Sequence, residues 1–241
     1  MLRGALLGLV AISSLAGPAR GESLAEVIAR AQQARGGYAK LKAVQSVRMT
    51  GRMTMGAGPE VKVAIEKKRP RRSRLEFTAQ GRTGVQAYDG RTAWGMPPVP
   101  GAKPEPLPEE MAGDLENQAD LDGPLVDHEA KGLKLKLVGR ESVDGKDAWK
   151  LELKFKSGDV HHFFLDAETY LEIRTESRRV VQGSAIEVET RLGDYREAGG
   201  VLWPHSIEIG PKGRPERQQV RFDAIEVNPT IDDARFQMPR P

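Results

Sequence analysis

The 241-residue sequence contains no cysteine. This absence excludes thiolate nucleophiles, zinc sites built on sulfur, and disulfide bonds. It also excludes a lipid attached to a cysteine at the start of an exported chain. A membrane-anchored lipoprotein is therefore disfavoured.

Residues and motifs typical of catalysis are also scarce. Only four histidines are present, and His161 and His162 are adjacent in a predicted strand, so they point to opposite faces and cannot chelate one ion together. The sequence has neither a G-x-S-x-G nucleophile elbow nor a phosphate loop that ends in Lys-Ser/Thr. We predict that the protein is not an enzyme, binds no metal ion and uses no cofactor. An unrecognised hydrolase acting near His161, His162 and Asp166 is a less favoured alternative.

The one long apolar run lies close to the start of the chain and is too short to span a bilayer. It covers residues 5–16, follows a basic start, and is succeeded by helix breakers and by the small residues Ala19 and Gly21. This pattern predicts a secretory signal peptide over residues 1–21, followed by a single domain over residues 22–241. In a Gram-negative cell the exported, soluble product would be periplasmic.

The net charge is small, at +3 for the whole chain, and it falls to +1 when the predicted signal peptide takes two arginines with it. Nothing in this balance indicates a nucleic-acid partner. The densest basic run, Glu66 to Arg74, is interpreted as the charged protection of a turn or an edge strand. Contact with anionic head groups or with a partner protein is the alternative for this run.

After a short amphipathic helix, the hydrophobic period changes from that of a helix to that of a strand. Ser23 and Glu26 form a capping box at the helix start, and the pair Gly36 and Gly37 ends or kinks it. From Val47 onward apolar residues alternate with polar ones, and the runs are separated by Gly-rich turns. This predicts an antiparallel meander with one apolar face and one wet face.

The stretch GDYREAGGVLWPHSIEIG, residues 193–210, crowds reactive side chains together. Because apolar residues alternate on both sides of Ala198, Gly199 and Gly200, we interpret it as a hairpin with its turn there. Pro204 predicts a bulge or bend in the second strand.

A Pro-rich segment, residues 96–108, interrupts the meander and leads into an acidic stretch that predicts one or two short helices. Such an insertion must cover one face of the sheet in order to bury Met111, Leu115 and Leu121. These three residues define a candidate lid.

Methionine and aromatic residues are spread over the apolar positions of many strands. An ordinary core explains each of them singly, but a curved sheet with few helices to cover it can enclose an apolar cavity, and methionine adapts to ligands of irregular shape. The candidate cavity-lining residues are Met49, Met53, Phe77, Val85, Trp94, Trp149, Leu151 and Trp203.

The order of these blocks resembles the outer-membrane lipoprotein-sorting family, the LolA/LolB-like superfamily of periplasmic carriers. The resemblance lies in a helix with ARGGY, in YDG, NQADLDGPLVD and DYREAGGVLWP, and in a closing FQMP; it covers about residues 24–239. It implies a strongly curved, incompletely closed antiparallel β-barrel with an N-terminal helix and a short helical lid over a hydrophobic cavity.

The function implied is that of a soluble, monomeric carrier or chaperone that binds lipoprotein acyl chains or lipids for outer-membrane sorting and transport. It also implies a transport partner in the inner or outer membrane. A second hypothesis keeps the fold but assigns an envelope-stress sensor or protein-interaction domain. The resemblance does not single out a functional arginine, although Arg48 and Arg52 lie in a similar early strand.

Overall fold

A computed structural model describes residues 21–56, 58–155, 158–181 and 184–239. The predicted signal peptide lies outside the described residues, except for Gly21. Of the helices in the described ranges, none is long and apolar enough to cross a membrane.

Thirteen strands and three helices make up the described chain. The helices are α1 (Leu24–Ala34), α2 (Tyr38–Ala43) and α3 (Glu109–Gln118), and a 3-10 turn covers Asp233–Arg235. The strands are β1 (Ser46–Met55), β2 (Val61–Lys68), β3 (Arg72–Ala79), β4 (Arg82–Tyr88), β5 (Ala93–Met96), β6 (Glu105–Pro106), β7 (Lys134–Val143), β8 (Lys146–Lys154), β9 (Val160–Asp166), β10 (Glu172–Val181), β11 (Ser184–Ala198), β12 (Val201–Pro211) and β13 (Gln218–Val227).

All the strands form one antiparallel sheet in the order β6-β5-β4-β3-β2-β1-β13-β12-β11-β10-β9-β8-β7. Its two edges, β6 and β7, do not pair, so the sheet is not closed into a barrel. The predicted fold class, a mainly β half-barrel with an N-terminal helix and a helical insertion, is confirmed. The single crossover is the pairing of β1 with β13, which joins two meanders at the middle of the sheet.

The first helix begins and ends where the sequence predicts. The Ser23 hydroxyl accepts from the backbone N–H of Glu26, while the Glu26 carboxylate accepts from the backbone N–H of Ser23 at 2.7 Å. Gly36, at φ 119°, follows the helix, and a Cβ there would lie 2.2 Å from the carbonyl oxygen of Gly200. The first glycine pair therefore lets the end of α1 contact the β11–β12 hairpin.

That hairpin is formed as predicted, with β11 ending at Ala198 and β12 beginning at Val201. The bulge predicted at Pro204 is absent, because one register runs through Gly193–Ser206 and Tyr195–Pro204. Pro204 is tolerated since β12 pairs with β13 only from Ser206 onward, so its missing N–H does not interrupt that ladder. The irregular residue is Asp194 on the facing strand, at φ 52°.

All three helices pack on one face of the sheet, which we call the inner face. Val27 and Ile28 of α1 pack in one cluster with Leu151 of β8, while Leu41 of α2 packs in a second cluster with Trp203. The acidic insertion forms one helix, α3, whose Leu115 packs against β4 and β5. The chain after α3 continues across the same face.

The opposite, outer face is not uniformly wet. The chain after β13, residues 228–239, lies over the outer face of β2–β5, and Phe236 is completely buried there. On β8–β10 a second outer cluster holds Phe164, with the guanidinium of Arg174 4.1 Å from the ring centroid. The prediction of one apolar and one wet face was therefore too simple.

Candidate functional site

Strand registers decide which side chains share the inner face. Residues that pair across neighbouring strands lie on the same face of a sheet. Met49 pairs with Ile65, and Ile65 pairs with Leu75. In the other half of the sheet, Leu151 pairs with Phe163. Six of the eight candidate cavity residues are on this face. They are Met49, Met53, Phe77, Trp149, Leu151 and Trp203.

The other two candidates, Val85 and Trp94, are on the outer face, so the prediction that their side chains join the inner set was wrong. Val85 is paired with Glu76, and Trp94 is paired with Ala87, both on the outer side of the sheet. The indole N–H of Trp94 donates to the carbonyl oxygen of Phe236 at 2.8 Å. The C-terminal segment therefore buries Trp94 completely.

The inner face is apolar but incompletely covered. Beyond the closely packed side chains near α2, a set of inner-face residues on β1–β3, β12 and β13 is only half-buried. These residues are Met53, Ile65, Leu75, Ile207 and Ile225. Since burying apolar surface is worth roughly 25 cal/mol per Å², this surface has free energy to gain from an apolar guest.

The inner face continues into an open pocket of about 560 Å³ at the β4–β6 edge. Its floor includes Phe77, whose ring lies across the backbone of Gly84; a Cβ at residue 84 would lie 2.3 Å from that ring. Its other wall is the Pro-rich segment, with Leu107 packed against Gly95. Of the cavity candidates, Phe77 lines this pocket, and Val85 also borders it although its side chain packs with Trp94 on the outer face.

The three lid candidates have different environments. Leu115 and Leu121 are buried, in separate apolar clusters under α3 and beside Trp203. Met111 is 42% exposed, so the prediction that the insertion would bury it was wrong. Met111 belongs to neither of the clusters that hold Leu115 and Leu121.

Ion pairs connect the segment after α3, residues 119–131, to α2 and to the β2–β3 turn. The buried carboxylate of Asp122 accepts hydrogen bonds from Arg69 and from the Lys42 ammonium, the latter at 3.0 Å. Lys42 also bonds Asp127 at 3.0 Å. Burial alone would raise the pKa of Asp122, but the hydrogen bonds from Arg69 and Lys42 outweigh it and lower that pKa. We call this segment with its ion pairs the tethered segment.

Two ionisable side chains lie on the inner face without such partners. Lys67 lies between Val47 and Ser73, and Glu172 lies beside Leu165; all three neighbours are buried. Burial lowers the pKa of Lys67 to about 8 and raises the pKa of Glu172 to about 7. Neither charged group has a hydrogen bond or an ion pair to any described residue.

The guanidinium of Arg35 and the phenol of Tyr195 lie close enough to these groups to interact with them. Arg35, at the end of α1, donates to the carbonyl oxygen of Asp122 at 3.2 Å and lies 5.8 Å from the ring centroid of Trp203. The hydroxyl of Tyr195 donates to the carbonyl oxygen of Glu172 at 2.7 Å, and burial raises the pKa of that phenol. The inner face thus combines an apolar floor with a small group of polar side chains.

No protein-family model matches the sequence, and no curated protein sequence matches it. Solved structures do match. A LolA superfamily protein from Nitrosomonas europaea aligns with a TM-score of 0.58 at 16% identity, over 88% of this chain and 96% of that chain. An outer-membrane lipoprotein-sorting protein domain from Vibrio parahaemolyticus aligns with a TM-score of 0.60 at 10% identity, over 87% and 95% of the two chains.

A third match is a DUF1329 family protein from Desulfovibrio piger, with a TM-score of 0.62 at 13% identity over 88% of this chain and 95% of that one. The chain has a LolA-like fold. At these identities the matches establish the fold alone, and the residues that act in it must be argued from this structure.

In this LolA-like fold, the inner-face charges were not predicted from the sequence, although the strand pattern contains a signal for Lys67. Val61, Val63 and Ile65 alternate toward the inner face, and the same period of two continues to Lys67. Lys67 was instead grouped with the neighbouring basic residues, which were interpreted as a charged turn or edge strand. Glu172 had no such signal, because a register shift between Glu172 and Arg174 breaks the alternation at the start of β10.

The two adjacent histidines lie on opposite faces of the sheet in this LolA-like fold, His161 opposite Leu153 and His162 opposite Glu152. The imidazole of His162 lies 3.7 Å from Glu152 on the outer side, whereas His161 stacks edge-on with Phe155. The carboxylate of Asp166 accepts from the backbone N–H groups of Glu168 and Thr169 and so shapes the β9–β10 turn. Within the described ranges, no group of three or more His, Asp or Glu side chains is placed to hold a metal ion.

Proposed function

We propose that this protein is an exported carrier that holds acyl chains of lipids or lipoproteins on its inner face, in the periplasm, for delivery toward the outer membrane. The observation that carries the proposal is the half-buried apolar surface on β1–β3, β12 and β13. An acyl chain on that surface would gain roughly 0.8 kcal/mol for each CH₂ removed from water.

The supporting fold likeness is to a LolA superfamily protein and to a lipoprotein-sorting domain. The open pocket beside Phe77 gives a chain on the inner face a second apolar region to enter. The tethered segment and α3 would act as the lid, with a membrane transport partner receiving or supplying the cargo. The proposal assigns no catalytic step to the protein.

The test is to export the full-length chain in a Gram-negative host, purify it without detergent, and quantify bound lipid by mass spectrometry. We expect bound acyl lipid in reproducible proportion to protein. Ile207→Asn puts a polar group on the inner face and should reduce the lipid retained, because an amide loses more on desolvation than an aliphatic side chain.

The matched control is Ser206→Asn, one residue away on the outer face of the same strand. It should retain lipid like the wild type. Both variants are checked for folding by thermal unfolding. A folded wild-type protein that carries no lipid and takes up none from vesicles would contradict the carrier proposal.

A further inference from the structure

The basic run Glu66 to Arg74 contains one cation that is unlike the others. Arg69, Arg71 and Arg72 form ion pairs with acidic residues of neighbouring segments. Lys67 has neither an ion pair nor a hydrogen bond to the described residues, and strand alternation points it to the inner face. A solvated surface charge does not explain this position.

The Lys67 side chain is half-buried, and its charged form is disfavoured because buried neighbours remove part of its water. The flanking inner-face residues are Val47, with no exposed surface, and Ser73, at 3%. The acidic residue whose charge acts on Lys67, Asp120, is itself bound by Lys131 at 2.6 Å. Among the described residues, therefore, no carboxylate forms an ion pair with Lys67.

Arg35 is a second cation on the inner face, where its guanidinium lies 5.8 Å from the ring centroid of Trp203 and its charge acts on Lys67. One of its N–H groups is bonded to the carbonyl oxygen of Asp122, and no carboxylate of the described residues pairs with it. The charge of Arg35 also acts on the inner-face carboxyl of Glu172. Because burial raises the pKa of Glu172 to about 7, this carboxyl is partly neutral at neutral pH. The polar part of the inner face is therefore net positive.

We propose that Lys67 and Arg35 bind the anionic head group of an amphiphile, a carboxylate or a phosphate, whose apolar chain lies along the inner face. This inference rests on the carrier function proposed above and names its ligand class. An anion between the two cations would restore the charge balance that the folded chain leaves open, and would fix the orientation of the ligand.

The test compares amphiphiles that share one chain and differ in head group. Dodecanoate and dodecyl phosphate separate the two anionic sources, while dodecanol and dodecyltrimethylammonium are the neutral and cationic probes. Affinities for the delipidated full mature chain are measured by calorimetry or by displacement of a fluorescent lipid. We expect at least one anionic probe to bind about tenfold more tightly than dodecanol and more tightly than the cation.

Lys67→Met keeps the length and apolar stem of the side chain and removes its charge. We expect it to bring the anionic probes to within about twofold of dodecanol while leaving dodecanol binding unchanged. Lys62→Met is the matched control, since Lys62 is exposed on the outer face of the same strand. Arg35→Gln provides a second variant should Lys67→Met fold poorly, and it should also weaken the preference.

The outcomes separate the two proposals. If the wild-type protein binds all four probes equally, or if the preference survives in both variants, the head-group subsite is overturned and the carrier function stands. If no probe binds, both proposals are overturned.

Discussion

Glu172 is held in the folded protein under conditions that disfavour its charged form. Its cross-strand neighbour Leu165 is 1% exposed, and its carboxylate has no partner among the described residues. Burial raises the pKa from 4.5 to about 7. A carboxylate placed in this way is a source of instability that the fold retains.

We predict that Glu172→Gln stabilises the protein at pH 8 and leaves its stability unchanged at pH 4. Below pH 4.5 the carboxyl is protonated in both folded and unfolded chains, so it costs nothing there. As the pH rises from 4.5 to about 7, the unfolded chain ionises while the folded chain stays protonated, so stability is lost over this range. The full change in pKa corresponds to roughly 3 kcal/mol, and because Glu172 is only half-buried we expect a gain at pH 8 on the order of 2 kcal/mol.

Urea unfolding of wild type and variant at the two pH values measures this effect. Glu197→Gln, at an exposed position on β11, is the control and should shift stability little at either pH. An equal gain at pH 4 and pH 8 would show that the amide improves packing and that ionisation is not the cause.

Among the secondary-structure elements, the tethered segment has the most distinctive attachment. Arg69 binds the carboxylate of Asp122 and also donates to the carbonyl oxygen of Val44 at 2.7 Å, so it joins the β2–β3 turn to the end of α2 and to the segment. The Asp122 side chain is only 3% exposed. Removing one partner from a buried pair leaves the other charge uncompensated.

We predict that Asp122→Asn loosens residues 119–131 and lowers the free energy of unfolding by about 3 kcal/mol. Hydrogen exchange should show faster exchange in that segment while β8 and β9 remain protected. Glu116→Gln is the control, because the Arg71–Glu116 pair is 47% exposed on both sides and should contribute less than about 1 kcal/mol. Unchanged exchange in the segment would mean that its apolar contacts alone hold it.

The strands and the first helix could be predicted from the sequence because their signals are local. The capping box at Ser23 and the alternation from Val47 to Met53 depend only on neighbouring residues. The assignment of strands to faces failed where apolar character was taken as the only guide. Residues 80 and 81 form a two-residue turn, so Phe77 faces Gly84 and the apolar Val85 must point the other way. Counting through that turn would have placed Val85 correctly.

What covers each face could not be predicted, because it depends on contacts between distant parts of the chain. Phe236 buries Trp94 across 142 positions of sequence, and no local pattern indicates that the C-terminal segment crosses the outer face. The apolar content of an individual strand therefore does not distinguish a residue that could contact a ligand from a residue that is covered by the protein itself.

At the scale of the whole molecule, the positive charge of Arg35 acts on ionisable groups in both halves of the sheet. Lys67 on β2 and Glu172 on β10 are separated by four strands, so a flat sheet would place them roughly 24 Å apart. Burial is the main cause of both pKa shifts, yet the positive charge of Arg35 also lowers the pKa of each. Arg35, which lies over the ring of Trp203 on β12, is thus placed between these two parts of the sheet.

This two-faced architecture predicts which tryptophans a bound acyl chain approaches. Trp149 and Trp203 are on the inner face, and Trp94 lies beneath the C-terminal segment on the outer face. We expect a fatty acid brominated along its chain to quench the fluorescence of a Trp94→Phe variant, which keeps both inner tryptophans. The same probe should leave a Trp149→Phe/Trp203→Phe variant unquenched, since the sheet separates its remaining indole from the guest.

The substitutions are suited to the measurement. The indole nitrogen of Trp149 has no hydrogen-bond partner in the described chain, so phenylalanine there loses no hydrogen bond, and Trp203 loses one bond of 3.1 Å to Ala198. Circular dichroism verifies that each variant is folded, and the unbrominated acid corrects for changes unrelated to contact. Equal quenching of both variants would place the guest elsewhere than on the inner face. Quenching of Trp94 alone would move the binding surface to the outer side and leave the half-buried inner residues without a role.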